Sequence, residues 1–277
     1  MKNCTEDDDT LQDGIVLFQL IVYIPVLSLG IPLNMIAFWV FCGKLKRWTE
    51  TRVYMINLMV ADSFLLFALP FLIYFTKYDH PIDKLCFTIQ NIYFTNMPMS
   101  ILIITLIAID RYIAIKFPLE AKIIRSPLKS AFICGFLWIT LIIFSYLRPK
   151  FHERKEEFCF QKQSIEPNYS SLFSIIFGYV IPLGIVIFCS TQVIKCLKKK
   201  MATSPYETKL IQKAIHTISV NLSVFIVCFS PFYITVLLRF RRLLVKRESH
   251  TVWRINNKAI VSIMGLFVHI VQLNIGK

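Results

Sequence analysis

Ala108-Ile109-Asp110-Arg111-Tyr112 closes a long apolar run that begins near Cys86. An acid and a base side by side at the end of a segment long enough to cross a bilayer need a reason. Ionisable groups near hydrocarbon are costly, so they usually mark function. The rest of the chain supplies the context. It has 277 residues, 56% of them hydrophobic, and a mean hydropathy of +0.59, too apolar for an ordinary soluble domain.

Six windows approach the roughly 20 residues that a spanning helix requires: 15–42, 54–75, 87–115, 130–147, 172–194 and 214–238. A seventh window, 259–273, is weak: as a helix it would reach about 22 Å, short of the roughly 30 Å hydrocarbon core. The windows are continuously apolar rather than alternating, which favours helices over a barrel.

The net charge of +14 would point to nucleic acid in a soluble protein. Here the basic residues lie mostly between spans, and topology explains much of the excess. Lys44, Lys46, Arg47 and Arg52 follow span one. Lys116, Lys122, Arg125 and Lys129 follow span three. Lys195, Lys198, Lys199, Lys200, Lys209 and Lys213 follow span five. Alternate basic loops are cytoplasmic by the positive-inside rule. The acidic start (Glu6, Asp7, Asp8, Asp9, Asp13) is then extracellular. No cleaved signal peptide is read, and span one serves as the insertion signal. The sequons at Asn3 and Asn168 face outward as glycosylation candidates, whereas the match at Asn221 lies inside a span.

Of eight cysteines, Cys42, Cys134, Cys189, Cys196 and Cys228 lie in spans or at cytoplasmic ends. They read as small buried residues or, near the membrane face, as palmitoylation sites. Cys86 tops span three and Cys159 follows span four. Both face the oxidising side, where a disulfide would pin that loop across span three. Cys4 has no evident partner.

The outside N-terminus, the two outer cysteines and Asp110-Arg111-Tyr112 together resemble the rhodopsin-like G-protein-coupled receptors. Cys86 and Arg111 stand close to one membrane crossing apart at about 1.5 Å per residue. Gly30, Asn34, Asn57, Ala61, Asp62, Trp138, Pro182 and Phe225-Ile-Val-Cys-Phe229-Ser-Pro231 also fit that family. Trp48-Thr-Glu-Thr-Arg-Val-Tyr-Met, Tyr93-Phe-Thr-Asn, Leu119-Glu-Ala and Arg125-Ser-Pro bring the resemblance nearer to its lysophosphatidylinositol and purinergic branch.

The resemblance implies an all-α seven-transmembrane bundle at the plasma membrane. Three regions follow: 1–14 as the extracellular N-terminus, 15–240 as helices one to six, and 241–277 as an atypical outer loop with an incomplete seventh helix. It implies that Asp110 pairs with Arg111 at rest and that Arg111 is released to a heterotrimeric G protein on activation. The competing reading is an arginine snorkelling at a helix end. Asp62, with Asn34 and Ser100, would form an allosteric sodium pocket; a hydrogen-bonded structural Asp is the alternative. Pro182 and Pro231 remove helix hydrogen bonds, and Phe225 and Phe229 would act as the packing switch of that hinge, or else as a static aromatic core.

Span three carries Tyr93 where amine receptors carry an acid, which argues against an amine ligand. Arg148 and Arg239, at the outer ends of spans four and six, suit a carboxylate or phosphate, although headgroup anchoring would explain them too. Met97 stands where the branch carries a further arginine. The resemblance therefore implies a small anionic ligand, an aromatic acid or lysophospholipid, bound near Tyr93, Met97, Arg148 and Arg239.

Beyond Arg239 the sequence departs from the family. Arg241, Arg242, Lys246, Arg247, Arg254 and Lys258 crowd an outer loop, and neither Asn-Pro-x-x-Tyr nor a phosphorylatable tail precedes Lys277. The expectation is weak coupling or a non-signalling decoy, with arrestin binding left open. A transporter would also place a carboxylate in mid-membrane, but no inverted repeat is evident. No metal cluster, nucleophile motif or paired carboxylates point to an enzyme. Membrane lipids and a G protein, not nucleic acid, are the expected partners.

Overall fold

The computed structural model describes residues 3–44, 48–78, 80–147, 159, 173, 175–199 and 205–245; within α1, the stretch that continues it, α2 and α7 some side chains also lie outside that description. Helix α1 covers Asn3–Phe38 and continues as a π-helical stretch at Trp39–Lys44. Helix α2 covers Glu50–Lys77, α3 Lys84–Lys116, α4 Pro118–Ile124 and α5 Pro127–Leu147. Helix α6, Ile181–Lys199, is entered through a π-helical turn at Ile176–Val180, and α7 covers Pro205–Val245. All but the short α4 are long and apolar enough to cross a membrane, so the described residues hold six candidate spans. The window 259–273 lies outside them.

The helix ends follow from local chemistry. Thr49 caps α2 by accepting from the Arg52 N–H at 3.3 Å, and Glu50 lies in the first turn, where an acid complements the helix dipole. Asp83 caps α3 by accepting from the Cys86 N–H at 2.7 Å. At its inner end α3 stops at Phe117, because Pro118 follows and begins α4 at a position where a missing N–H costs nothing.

Two helices extend past their apolar windows. Helix α1 begins at Asn3, within the acidic start read as a tail. Helix α7, of 41 residues, runs to Val245 and takes in Arg241 and Arg242, read above as loop. Apolar length sets only how much of a helix hydrocarbon can hold. Where water takes over, a polar helix continues at little cost. The 33 residues of α3 likewise span about 50 Å, which puts Cys86 beyond one face of the core and Lys116 beyond the other.

Helices α2 and α3 form the centre. In their spanning windows 56% and 50% of residues are buried, against 17% for α1 and for α5. Leu58, Ala61, Met99, Ile101, Ile103, Phe225 and Phe229 fill the main core. Tyr23, Val26, Leu69, Leu72 and Ile89 pack with Cys86 and Cys159 in a second cluster towards the other end. Helix α5 instead exposes Phe132 (71%) and Phe136 (68%). An apolar face of this size would aggregate in water; here it meets lipid.

Lipid-facing helices gain little from hydrophobic contact with one another, so polar bonds carry more of the attachment. Helix α5 makes such bonds at two depths. Trp138 Nε1 donates to Asn57 Oδ1 at 3.2 Å, and Ser145 Oγ donates to Asn91 Oδ1 at 3.0 Å. Asn57 also donates to its own helix at Val53 O, 2.9 Å, which fixes the amide with its oxygen towards α5. Each interhelical bond of this kind contributes about 0.6 kcal/mol on average and up to roughly 1.7. A double-mutant cycle of Trp138→Phe and Asn57→Ala, read as thermal midpoints of purified receptor, is expected to show the double variant clearly less destabilised than the sum of the singles. Strict additivity would mean that the bond contributes nothing.

Candidate functional site

At the inner end of α3 the Asp110 side chain is 5% exposed and sits in a network of three elements. Arg125, in the short link between α4 and α5, donates to it twice, Nε to Oδ1 at 2.7 Å and Nη2 to Oδ2 at 3.0 Å. Thr51 Oγ1 donates to Oδ2 at 3.2 Å from α2. Arg125 Nη2 also reaches Glu50 Oε2 at 3.0 Å. The bond to Asp110, reinforced by its charge and that of Glu50, raises the Arg125 pKa above its ordinary value despite partial burial, so the guanidinium is permanently charged.

The expected resting pair of Asp110 with Arg111 is not formed. Consecutive helical residues point about 100° apart, and Arg111 leaves the helix on an exposed side, away from the Asp110 network. Arg125 returns from α4 at an angle that lets its planar fork meet both carboxylate oxygens. Tyr112 is half-buried between Phe117 and Phe188 of α6, with ring centroids at 5.8 and 5.7 Å, and its hydroxyl accepts from Lys116 Nζ at 3.1 Å. Sequence reasoning counted Arg125 as a basic loop residue and as part of the Arg125-Ser-Pro motif, and gave its side chain no partner. Its one local signal is its position between the helix starts at Pro118 and Pro127.

In mid-membrane, Asn34, Asp62 and Ser100 are all buried, at 4%, 1% and 0% exposure. Asn34 Nδ2 donates to Met59 O at 3.1 Å and to Ser63 Oγ at 2.8 Å, tying α1 to α2 beside Asp62. Ser100 donates along its own helix to Asn96 O at 3.0 Å. The side-chain oxygens of Asn34 and Asn96 are buried with no hydrogen-bond partner. Asn96, one turn from Ser100 on α3, was missed as a candidate; only its spacing of four residues could have flagged it.

The hinge residues join through aromatic rings. Phe225 (0% exposed) and Phe229 (2%) are in contact at 5.1 Å. Tyr179, inside the π-helical turn just before Pro182, stacks nearly parallel on Phe225 at 6.2 Å and on Tyr233 at 4.4 Å. Its hydroxyl is hydrogen-bonded to Ser230 Oγ, next to Pro231. Tyr233 donates back to Gly178 O at 3.5 Å. Sequence reasoning missed Tyr179, Ser230 and Tyr233, because a π-helical turn shifts register without changing composition.

Towards the other end, Cys86 and Cys159 form the expected disulfide, and the Cys159 N–H donates to His80 O at 2.8 Å. Tyr93 is hydrogen-bonded to Tyr23 of α1 and belongs to the outer cluster. Met97, one turn further in, packs on the main core. Arg148 and Asn168 lie outside the described residues, as do the side chains of Asn3 and Arg239.

Residues 33–271 match the family described as 7 transmembrane receptor (rhodopsin family). The chain belongs to the rhodopsin-like receptors. The match takes in most of the window 259–273. G-protein coupled receptor 35 of Mus musculus is 40% identical over 211 residues, 76% of this chain and 68% of the relative. G-protein coupled receptor 55 of Homo sapiens is 34% identical over 252 residues, 87% and 78% respectively. Lysophosphatidic acid receptor 6 of Gallus gallus is 34% identical over 231 residues, 78% and 74%. Membership makes the chain a multi-pass cell-surface receptor of a family defined by ligand and G-protein partners, not by catalysis.

The aromatic contact between the π-helical turn and α7 of this receptor depends on one glycine. A Cβ on Gly178 would meet the Tyr233 hydroxyl at 3.3 Å, whereas one on Gly184 would meet nothing within 4 Å. Tyr233 is held by its ring stack and cannot retreat freely. Gly178→Ala is expected to destabilise the purified receptor by about 1–2 kcal/mol through overpacking. Gly184→Ala is expected to be neutral or to stabilise by up to about 1 kcal/mol through helix propensity. Thermal midpoints of the two variants in the same detergent check the contrast.

Proposed function

We propose that this receptor detects a small anionic ligand outside the cell, an aromatic acid or a lysophospholipid, and activates a heterotrimeric G protein through Asp110, Arg111 and Tyr112. The observation that carries the G-protein half is Arg111. It is exposed at the inner end of a central helix, its neighbouring carboxylate is already engaged by Arg125, and its guanidinium can therefore meet an incoming partner. The basic loops support a cytoplasmic position for this end and an extracellular N-terminus, with Asn3 and Asn168 on the outside. The ligand half rests on Arg148, Arg239, Tyr93 and Met97, and on relatives named as receptors of lysophosphatidic acid, itself an anion.

Signal transfer follows from the packing. A ligand changes an equilibrium between two arrangements only by binding one of them better. The stack of Tyr179, Phe225 and Tyr233 couples the turn before Pro182 to the Pro231 segment of α7, so a ligand that favours a different ring packing biases the hinge. The inner part of α7 then moves relative to α3 and α6. Asp62, Asn34 and Ser100, joined by Asn96, would hold a sodium ion, whose charge would offset the buried carboxylate and favour the resting packing.

The test is nucleotide exchange on a purified heterotrimer, driven by membranes carrying the receptor and a panel of lysophospholipids, aromatic acids and amines. A saturable response to anions is expected. Loss of Arg148 or Arg239 as alanine would weaken it by about tenfold or more, as for a charge-assisted hydrogen bond, and Arg111→Ala would abolish it. A response to amines alone would overturn the ligand reading.

The sodium pocket has a separate readout. Replacing potassium by sodium is expected to raise the thermal midpoint of the wild-type receptor, and Asp62→Asn to remove that dependence. Equal dependence in both proteins would place any sodium effect elsewhere.

A further inference from the structure

We infer that Arg125 is a positioning residue that competes with Arg111 for Asp110 and thereby keeps Arg111 available at the cytoplasmic face. The effect on signalling rests on the G-protein role proposed above; the competition itself does not. A carboxylate offers about four acceptor lobes. The Arg125 fork takes two, at 2.7 and 3.0 Å, and Thr51 takes a third at 3.2 Å. Little acceptor capacity is left for the arginine next in sequence. Glu50 strengthens the arrangement, because its carboxylate, 13% exposed, holds the same Arg125 Nη2 at 3.0 Å from α2. Arg125 is only 25% exposed and is fixed between two carboxylates of different helices.

Removing the guanidinium changes the balance. With Arg125→Gln, Asp110 keeps Thr51 but loses its cation while still buried. A buried charge left alone is costly, and the guanidinium next to it in sequence is that of Arg111. Its long side chain can fold back along α3 to the vacated oxygens. The resting latch expected from sequence would then form, as the consequence of losing Arg125. The loop arginine thus sets how far Arg111 is committed before any ligand arrives.

The experiment has two arms on the full-length receptor in nanodiscs without ligand. In the first, phenylglyoxal, which modifies accessible guanidinium groups, is followed at Arg111 by peptide mass spectrometry. Wild type is expected to react readily and Arg125→Gln about tenfold more slowly, the scale of one charge-assisted hydrogen bond. Arg125→Lys, which keeps a cation beside Asp110 without the fork, is expected to restore most of the reactivity. In the second arm, ligand-free nucleotide exchange on the heterotrimer is expected to fall in Arg125→Gln and to recover in Arg125→Lys. Unchanged Arg111 reactivity in Arg125→Gln would overturn the competition, whatever the exchange assay reads. Slower reactivity with unchanged exchange would support the competition and overturn the reading of Arg111 as the G-protein contact. Thermal midpoints within a few degrees of wild type confirm that the variants compared are folded.

Discussion

Hydrocarbon offers a polar group no partner, and this constraint governs the receptor from backbone to switch. Peptide groups must bond within the chain, so the spans are helices. Side-chain polar groups must be met inside the bundle, so they become its points of attachment. Asn34 ties α1 to α2, and Asn57 and Asn91 hold α5. Helix α5 shows the rule most plainly: much of its surface is apolar and faces outward, so the few hydroxyl, indole and amide bonds on its inner side decide where it sits.

The same constraint makes the charged cluster at the inner end of α3 directional. Asp110 is too buried to rely on water and therefore takes a guanidinium. The cation that meets it comes from the link between α4 and α5, because the adjacent arginine points elsewhere on the helix. Loop, α2 and α3 are joined at one carboxylate. Any displacement of α3 that stretches this junction is felt in α4 and at the first turn of α2 together. Further out, the tyrosine and phenylalanine stack gives α6 and α7 a shared surface in which one ring cannot reorient without disturbing the next.

Much of this was legible in the chain. Apolar length located six spans, and placing Cys86 and Cys159 on one side of the membrane anticipated their disulfide. Asn57 and Trp138 were recognised as separate family positions and turn out to be hydrogen-bonded to each other. The errors share a cause. Helix ends were set where apolarity stops, yet α1 and α7 continue into polar sequence that water solvates. Arg125 was read for its charge and its family motif but not for its partner, since a loop residue's partner depends on where the chain folds back. Tyr179 and Tyr233 went unnoticed because a π-helical turn leaves no mark in composition, and nothing local to Asn96 announces that its amide oxygen is buried.

That turn at Ile176–Val180 also divides its span into two phases. An α-helix advances about 100° per residue, so accommodating one extra residue rotates everything on one side of the turn relative to the other. Ile175, before the turn, and Phe188, after it and touching Tyr112, are therefore out of the phase that an uninterrupted helix would give them. Sequence change on the outer side can alter what the receptor recognises without re-indexing the face that reads Tyr112. A deletion of a single residue within the turn would remove that independence, turning the two halves of the span back into one rigid screw.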